Sequence, residues 1–270
     1  MGRIKDRFEQ LRETGHKGFI PFVTAGDPDL ETSLSIVRKL ADMDADVIEL
    51  GVPFSDPMAD GPTIQRSSQR ALENGTSLGD VLSLASEFRS TSDVPLVLFS
   101  YFNPIHRIGV DRFAEAAASS GIDGVLLTDV IENEAADISR KFSDRGIDLI
   151  SLVAPTTSNE RLEAICRSAR GFIYAVSRAG VTGARENMSS AAKELVVRTR
   201  SLTDLPIAVG FGISTRDQIE EVWDYADAAV VGSAIVAEVE RAESSTDALE
   251  GVERFIGSLL PQFAKSSSDI

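Results

Sequence analysis

Glu49 lies inside Asp46-Val-Ile-Glu-Leu-Gly-Val-Pro53, an apolar run with the composition of a β-strand. Alternation along a strand puts Val47 and Glu49 on one face and Ile48 and Leu50 on the other. If both faces are covered, the carboxylate is withdrawn from water, a costly state that a protein resolves by pairing the group, protonating it or using it. An ion pair with an arginine at the rim is the plain structural reading. A general acid/base is the functional one, because strongly perturbed carboxylates gather at functional sites. The loop that follows, running from Pro53 to Ile64, adds Asp56 and Asp60. Asp56 precedes Pro57 and suits a turn. Asp60 stands before Gly61-Pro62 and a helical run, so it reads equally as an N-cap or as the second carboxyl of an acid/base pair.

Three further stretches are rich in small residues: Ser177-Arg-Ala-Gly-Val-Thr-Gly183, Gly210-Phe-Gly-Ile-Ser214 and Val231-Gly-Ser-Ala-Ile235. Small side chains let backbone amides approach an anion, and a helix starting at Ser233 adds the positive end of its dipole. A phosphate site beside a buried acid points to an enzyme acting on a phosphorylated small molecule. Scarcity narrows the chemistry. Only six of the 27 bases are lysines, and each falls on a helical segment, near a terminus or just before the first strand, which disfavours a Schiff base. His16 and His106 are isolated, and no His/Cys/carboxylate cluster has metal-site spacing. Acid/base catalysis by carboxylates without a metal or cofactor remains, with Tyr174 or Tyr101 in support.

These residues need elements that bring them to one place. Apolar runs are read as strands at 18–24, 46–52, 95–101, 124–129, 148–153, 171–176, 205–210 and 228–231. Helical periodicity is read over 30–43, 63–74, 78–90, 110–119, 132–145, 160–168, 190–202 and 246–260, with an extra helix at the N-terminus. Ser77 with Asp80 and Thr157 with Glu160 have capping-box spacing. Strict alternation of strand and helix implies a parallel sheet covered on both faces. Eight units imply one closed α/β barrel of the (β/α)8 TIM type, spanning the 270 residues as a single domain with a disordered tail at 265–270. In such a barrel the chemistry sits at the C-terminal ends of the strands, and the loops after the seventh and eighth strands commonly hold phosphate.

Composition bounds the partners. With 42 acids against 27 bases, a formal charge of -15, the surface suits neither nucleic acid nor an anionic membrane. No secretory signal and no run long enough to span a bilayer is visible, and a single cysteine, Cys166, fits a reducing cytoplasm.

The motifs resemble those of the tryptophan synthase α subunit, in order and over essentially the whole chain: Ile20-Pro-Phe-Val-Thr-Ala-Gly-Asp-Pro28, the segment Glu49 to Gln65, Tyr101-Phe-Asn-Pro104, Ser177 to Gly183, Gly210 to Ser214 and Gly232 to Val236. The resemblance implies a lyase of tryptophan biosynthesis that cleaves indole-3-glycerol phosphate to indole and glyceraldehyde 3-phosphate. It implies that Glu49 protonates indole C3 and handles the glycerol hydroxyl, and that Asp60 meets the indole N–H. Phe22 and Tyr174 would line the substrate. Thr182 and Arg178 would belong to a lid, Phe211 would bind substrate, and Gly183, Gly212, Gly232 and Ser233 would surround the phosphate. By the same resemblance Asp56, Pro57 and Asn103 would face a β subunit, in an α2β2 heterotetramer, that receives the indole and alone carries pyridoxal phosphate. Ile131 departs from the family's usual proline in a loop near that contact, and Tyr225-Ala-Asp-Ala-Ala229 departs from a more glycine-rich stretch.

Overall fold

Eight short strands, each buried on both faces, close on themselves in sequence order in the computed structural model, which describes residues 2–130, 132–176, 185–210 and 212–260. The first half of the chain runs α1 (Arg3–Thr14), β1 (Gly18–Thr24), α2 (Leu30–Asp42), β2 (Ile48–Gly51), α3 (Pro62–Glu73), α4 (Leu78–Arg89), β3 (Leu96–Ser100), α5 (Phe102–Ile108), α6 (Val110–Ser119) and β4 (Gly124–Leu127). The second half runs α7 (Glu132–Ser143), β5 (Asp148–Val153), α8 (Asn159–Ser168), β6 (Ile173–Val176), α9 (Arg185–Arg200), β7 (Ile207–Gly210), α10 (Arg216–Trp223), β8 (Ala228–Val231), α11 (Ser233–Arg241) and α12 (Ser245–Leu259). All eight pairings are parallel, and β8 returns to β1 through Gly18↔Ala228 to Pro21↔Val231. The (β/α)8 barrel read from the sequence is therefore the fold.

Alternation in the strands builds two cores. Ile48, Leu50, Leu96 and Leu98 face the helices and join the outer core. Val47, Val97, Leu126, Ile150 and Val230 face inward. The barrel's N-terminal end is closed by α1, whose Ile4, Phe8 and Leu11 are buried in that inner cluster, Phe8 resting on Phe172 with ring centroids 5.6 Å apart. A cavity of about 800 Å³ lies at this same end, between α1 and the turns before β5, β6 and β7. Its walls include Arg12, His16, Asp148, Arg170 and Arg200, and neither Glu49 nor Asp60.

Several boundaries differ from the sequence reading. Strands β1, β5 and β8 keep the bounds read from the sequence, while β2, β3, β4, β6 and β7 are shorter, since ladder pairing stops where each chain turns out to its loop. Helices α5 and α10 were not anticipated, being only seven and eight residues long. The cap of α8 is Ser158, whose hydroxyl accepts from Arg161 N–H, while the Thr157 hydroxyl accepts from Ala154 N–H and closes the preceding turn. Ser77 and Asp80 form the expected capping box. Among the described residues no helix is long and apolar enough to cross a membrane. Ile131, Arg178, Thr182, Gly183, Phe211 and the tail at 265–270 lie outside the described residues.

Candidate active site

Glu49 is the second residue of β2, paired with Phe22 on one side and Val97 on the other. Sharing its face with Val47, it projects into the barrel and is only 1% exposed. Its Oε1 has no hydrogen-bond partner. The arginine ion pair, the plain reading of this residue, is thus ruled out. Burial alone pushes its carboxyl up to about 8, so the group is mostly protonated at neutral pH.

Asp60 approaches from the loop after β2. The N-cap reading fails: α3 begins at Pro62 with Gly61 as cap, and no side chain caps its amides. The carboxylate instead accepts a hydrogen bond from the Tyr101 hydroxyl at 3.0 Å, and that hydroxyl itself accepts from Ala59 N–H at 2.9 Å. Tyr101 follows β3 directly and its ring stacks on Phe54, 4.9 Å between centroids, so the loop is pinned by one face and the tip of one ring. Burial lifts the Asp60 carboxyl to about 6 while the tyrosine donor pulls it back. The Tyr101 hydroxyl is itself raised, by burial first and then by the Asp60 charge, and stays protonated.

Two aromatic residues wall the space between these acids and the mouth. Phe22, on β1, lies edge-on to Phe99 at 5.4 Å. A Cβ added to Gly51 would fall 2.6 Å from its ring, so glycine there makes room for the ring. Tyr174, on β6, is buried, and its hydroxyl occupies the space of a missing side chain on Gly210. Burial raises its hydroxyl above the usual tyrosine value, with further contributions from the charges of Glu49 and Asp60.

Beyond Phe22 lies Gly232, whose Cβ, were there one, would sit 3.3 Å from the Phe22 Cβ. Gly232 precedes α11, a helix with neither a side-chain cap nor an acid in its first turn, so the N–H groups of Ser233 and Ala234 are available to an anion, that of Ile235 already donating to the Gly232 carbonyl. The contrast is α10, where Thr215 and Gln218 fill the helix start with a capping box. Of the expected phosphate residues, Gly212 is exposed with φ +78°, a left-handed conformation that favours glycine, while Gly232 and Ser233 are half-buried. Asp56 and Asn103 are exposed and Pro57 half-buried, and Met58 beside them is 92% exposed.

Phe54 and Phe99 escaped the sequence reading. The first was hidden in a Pro-Phe-Ser-Asp-Pro stretch that looked like turn material, the second on a strand whose inward face cannot be assigned before the register is known. Among the described residues no group of three or more His, Cys, Asp or Glu side chains is placed to hold a metal ion.

A closed parallel barrel with one carboxyl buried inside it and a second near its rim has the architecture of a class, the (β/α)8-barrel enzymes, and the layout that acid–base chemistry needs. A model of the family described as tryptophan synthase alpha chain matches residues 8–262. The alpha chain of Citrifermentans bemidjiense is 47% identical over 267 residues, 99% of this chain and 100% of that one. The alpha subunit structure from Legionella pneumophila superposes with a TM-score of 0.88 at 38% identity, covering 96% of this chain and 97% of the other. A chain of the Pyrococcus furiosus tryptophan synthase a2b2 complex gives 0.82 at 38% identity, over 90% and 97%. The chain belongs to the family of tryptophan synthase alpha chains, enzymes of the lyase class.

Proposed function

We propose that this chain cleaves indole-3-glycerol phosphate to indole and glyceraldehyde 3-phosphate by a retro-aldol step. The observation that carries this reading is Glu49, a carboxyl buried without a partner and held protonated near neutral pH. Its proton passes to indole C3, which turns the ring into an indoleninium with positive charge at N1. The Asp60 carboxylate, ionised above about pH 6, accepts from N1–H and stabilises that charge. The bond between C3 and the side-chain carbon then breaks, and its electron pair restores the indole. The hydroxyl on that carbon becomes the aldehyde carbonyl and returns its proton to Glu49, so the carboxyl ends as it began. Phe22 and Tyr174 flank the ring, and the amides around Gly212, Gly232 and Ser233 take the phosphate.

The test is a lyase assay with Glu49→Gln. The amide keeps the shape and cannot deliver a proton, so turnover falls by about 10² to 10⁴. Comparable rates in both proteins would refute the role of Glu49.

We further infer a β-chain partner at the rim formed by Asp56, Pro57 and Asn103, with pyridoxal phosphate carried by that partner. The P. furiosus relative is part of an a2b2 complex, and the large apolar Met58 stands out from this rim at 92% exposure. Adding a cognate β chain raises the lyase rate if this is right; an unchanged rate counts against it.

A further inference from the structure

Arg70, on α3, has no place in the chemistry above, yet it holds two other elements at once. Its Nε and Nη2 donate to both carboxylate oxygens of Asp27 at 2.8 Å, and its Nη1 donates to Glu240 at 2.8 Å. Asp27 is 3% exposed and lies in the loop that follows β1. Glu240 lies seven residues, about two turns, into α11, and is held from the other side by a bidentate pair from Arg66 at 2.6 and 2.7 Å. Arg66 and Arg70 are one turn apart on α3, so the same helix face supplies both. The two guanidinium groups hold the Glu240 carboxyl at about 2. A buried 2.7 Å contact between the Ser67 and Thr24 hydroxyls ties the same stretch of α3 to the end of β1.

The connections matter because of what each element carries. Helix α3 begins two residues after Asp60. Helix α11 begins at Ser233 and offers the free amides of Ser233 and Ala234 to the phosphate. The strand before Asp27 bears Phe22, which packs between Gly51 and Gly232. We propose that Arg70, with Arg66 and Glu240, is a positioning cluster that sets the separation between the ring-binding and phosphate-binding ends of the site. The cluster acts only on a substrate that spans both ends, and so rests on the retro-aldol reading. A bidentate guanidinium suits this task because its planar fork fixes direction as well as distance.

Glu240→Ala removes the ionic link between α11 and α3 while sparing the buried Asp27–Arg70 pair. Displacing one end of a bound substrate by a fraction of an ångström costs orientation rather than contacts, so kcat/KM for indole-3-glycerol phosphate falls about tenfold. Binding of the separate fragments, glycerol 3-phosphate and indole, each followed by calorimetry, stays within about twofold, because neither fragment spans the gap. A merely structural role would weaken fragment binding and turnover together. Should Glu240→Ala fail to fold, Arg66→Met, which removes only the outer arm, is read by the same split. A wild-type chain without lyase activity sinks the retro-aldol reading itself. Wild-type turnover accompanied by an undiminished variant, or by a variant that loses glycerol 3-phosphate in parallel with turnover, overturns the positioning cluster alone.

Discussion

Glu49 and Asp60 carry the same functional group and differ in what surrounds it. Full burial without a donor sets the first at about 8, and partial burial offset by the Tyr101 hydroxyl sets the second at about 6. Between those values the acid is protonated and its companion ionised, which is the state the proposed step requires. The pH profile of kcat/KM is accordingly expected to be bell-shaped, rising through about pH 6 as Asp60 ionises and falling above about pH 8 as Glu49 loses its proton. Tyr101→Phe removes a hydrogen bond that favours the ionised aspartate, so the acidic limb moves to higher pH. A profile flat from pH 5 to 9 contradicts the assignment. Asp60→Asn separates chemistry from stability: the amide oxygen can still accept from Tyr101, and no helix cap is lost. Turnover drops by about 10² while stability stays within about 0.5 kcal/mol in a denaturant titration. An unchanged rate returns Asp60 to a purely structural role.

The strands position these groups by their register, and glycines at their ends leave room for the rings. Gly210 is the sharpest case, because a methyl group there would lie 2.1 Å from the Tyr174 hydroxyl and 2.7 Å from its Cζ. Gly210→Ala must move either the ring or the strand, with an expected cost of about 1–3 kcal/mol and a loss of lyase activity in the protein that remains folded. Equal stability and equal activity would mean that the tyrosine has another place to go. Element existence was legible wherever hydrophobic periodicity was long, as in α2, α4 and α12. It was not legible in α5, whose seven residues include Pro104, or in α10, eight residues held by a capping box. The cap of α8 went to Ser158 rather than Thr157, since two adjacent hydroxyls offer the same chemistry and only the backbone geometry chooses between them.

At the scale of the molecule, the barrel works as a cup with one end sealed. Helix α1 supplies that seal, and Phe8 is its largest buried side chain, 5% exposed against Phe172. Phe8→Ala leaves a cavity at the end remote from Glu49 and is expected to cost about 3–5 kcal/mol, lowering the thermal midpoint by something on the order of 10 °C. Activity at 25 °C persists in the folded fraction; its loss without loss of stability would place the N-terminal helix in the catalytic machinery. Net charge acts on the same scale. A chain of formal charge -15 repels a phosphate ester at long range, so the proposed function requires local attraction, for which the amides that open α11 are the candidate.

The sequence by itself determined the fold class, because alternating strand and helix patterns allow few arrangements, and eight of them favour closure. It also determined the candidate chemistry. A glutamate in an apolar strand needs a reason to be there, and its parity put it on the face of Val47, which the closed barrel then shows to be the interior one. Charge states and partners were decided only by the tertiary structure. Whether Glu49 met an arginine, whether Asp60 capped a helix or faced Tyr101, and which side chain Arg70 held all depend on residues 40 to 170 positions apart in the chain. Local sequence sets what a side chain can do; desolvation and hydrogen bonding, which exist only once the barrel has closed, set what it does.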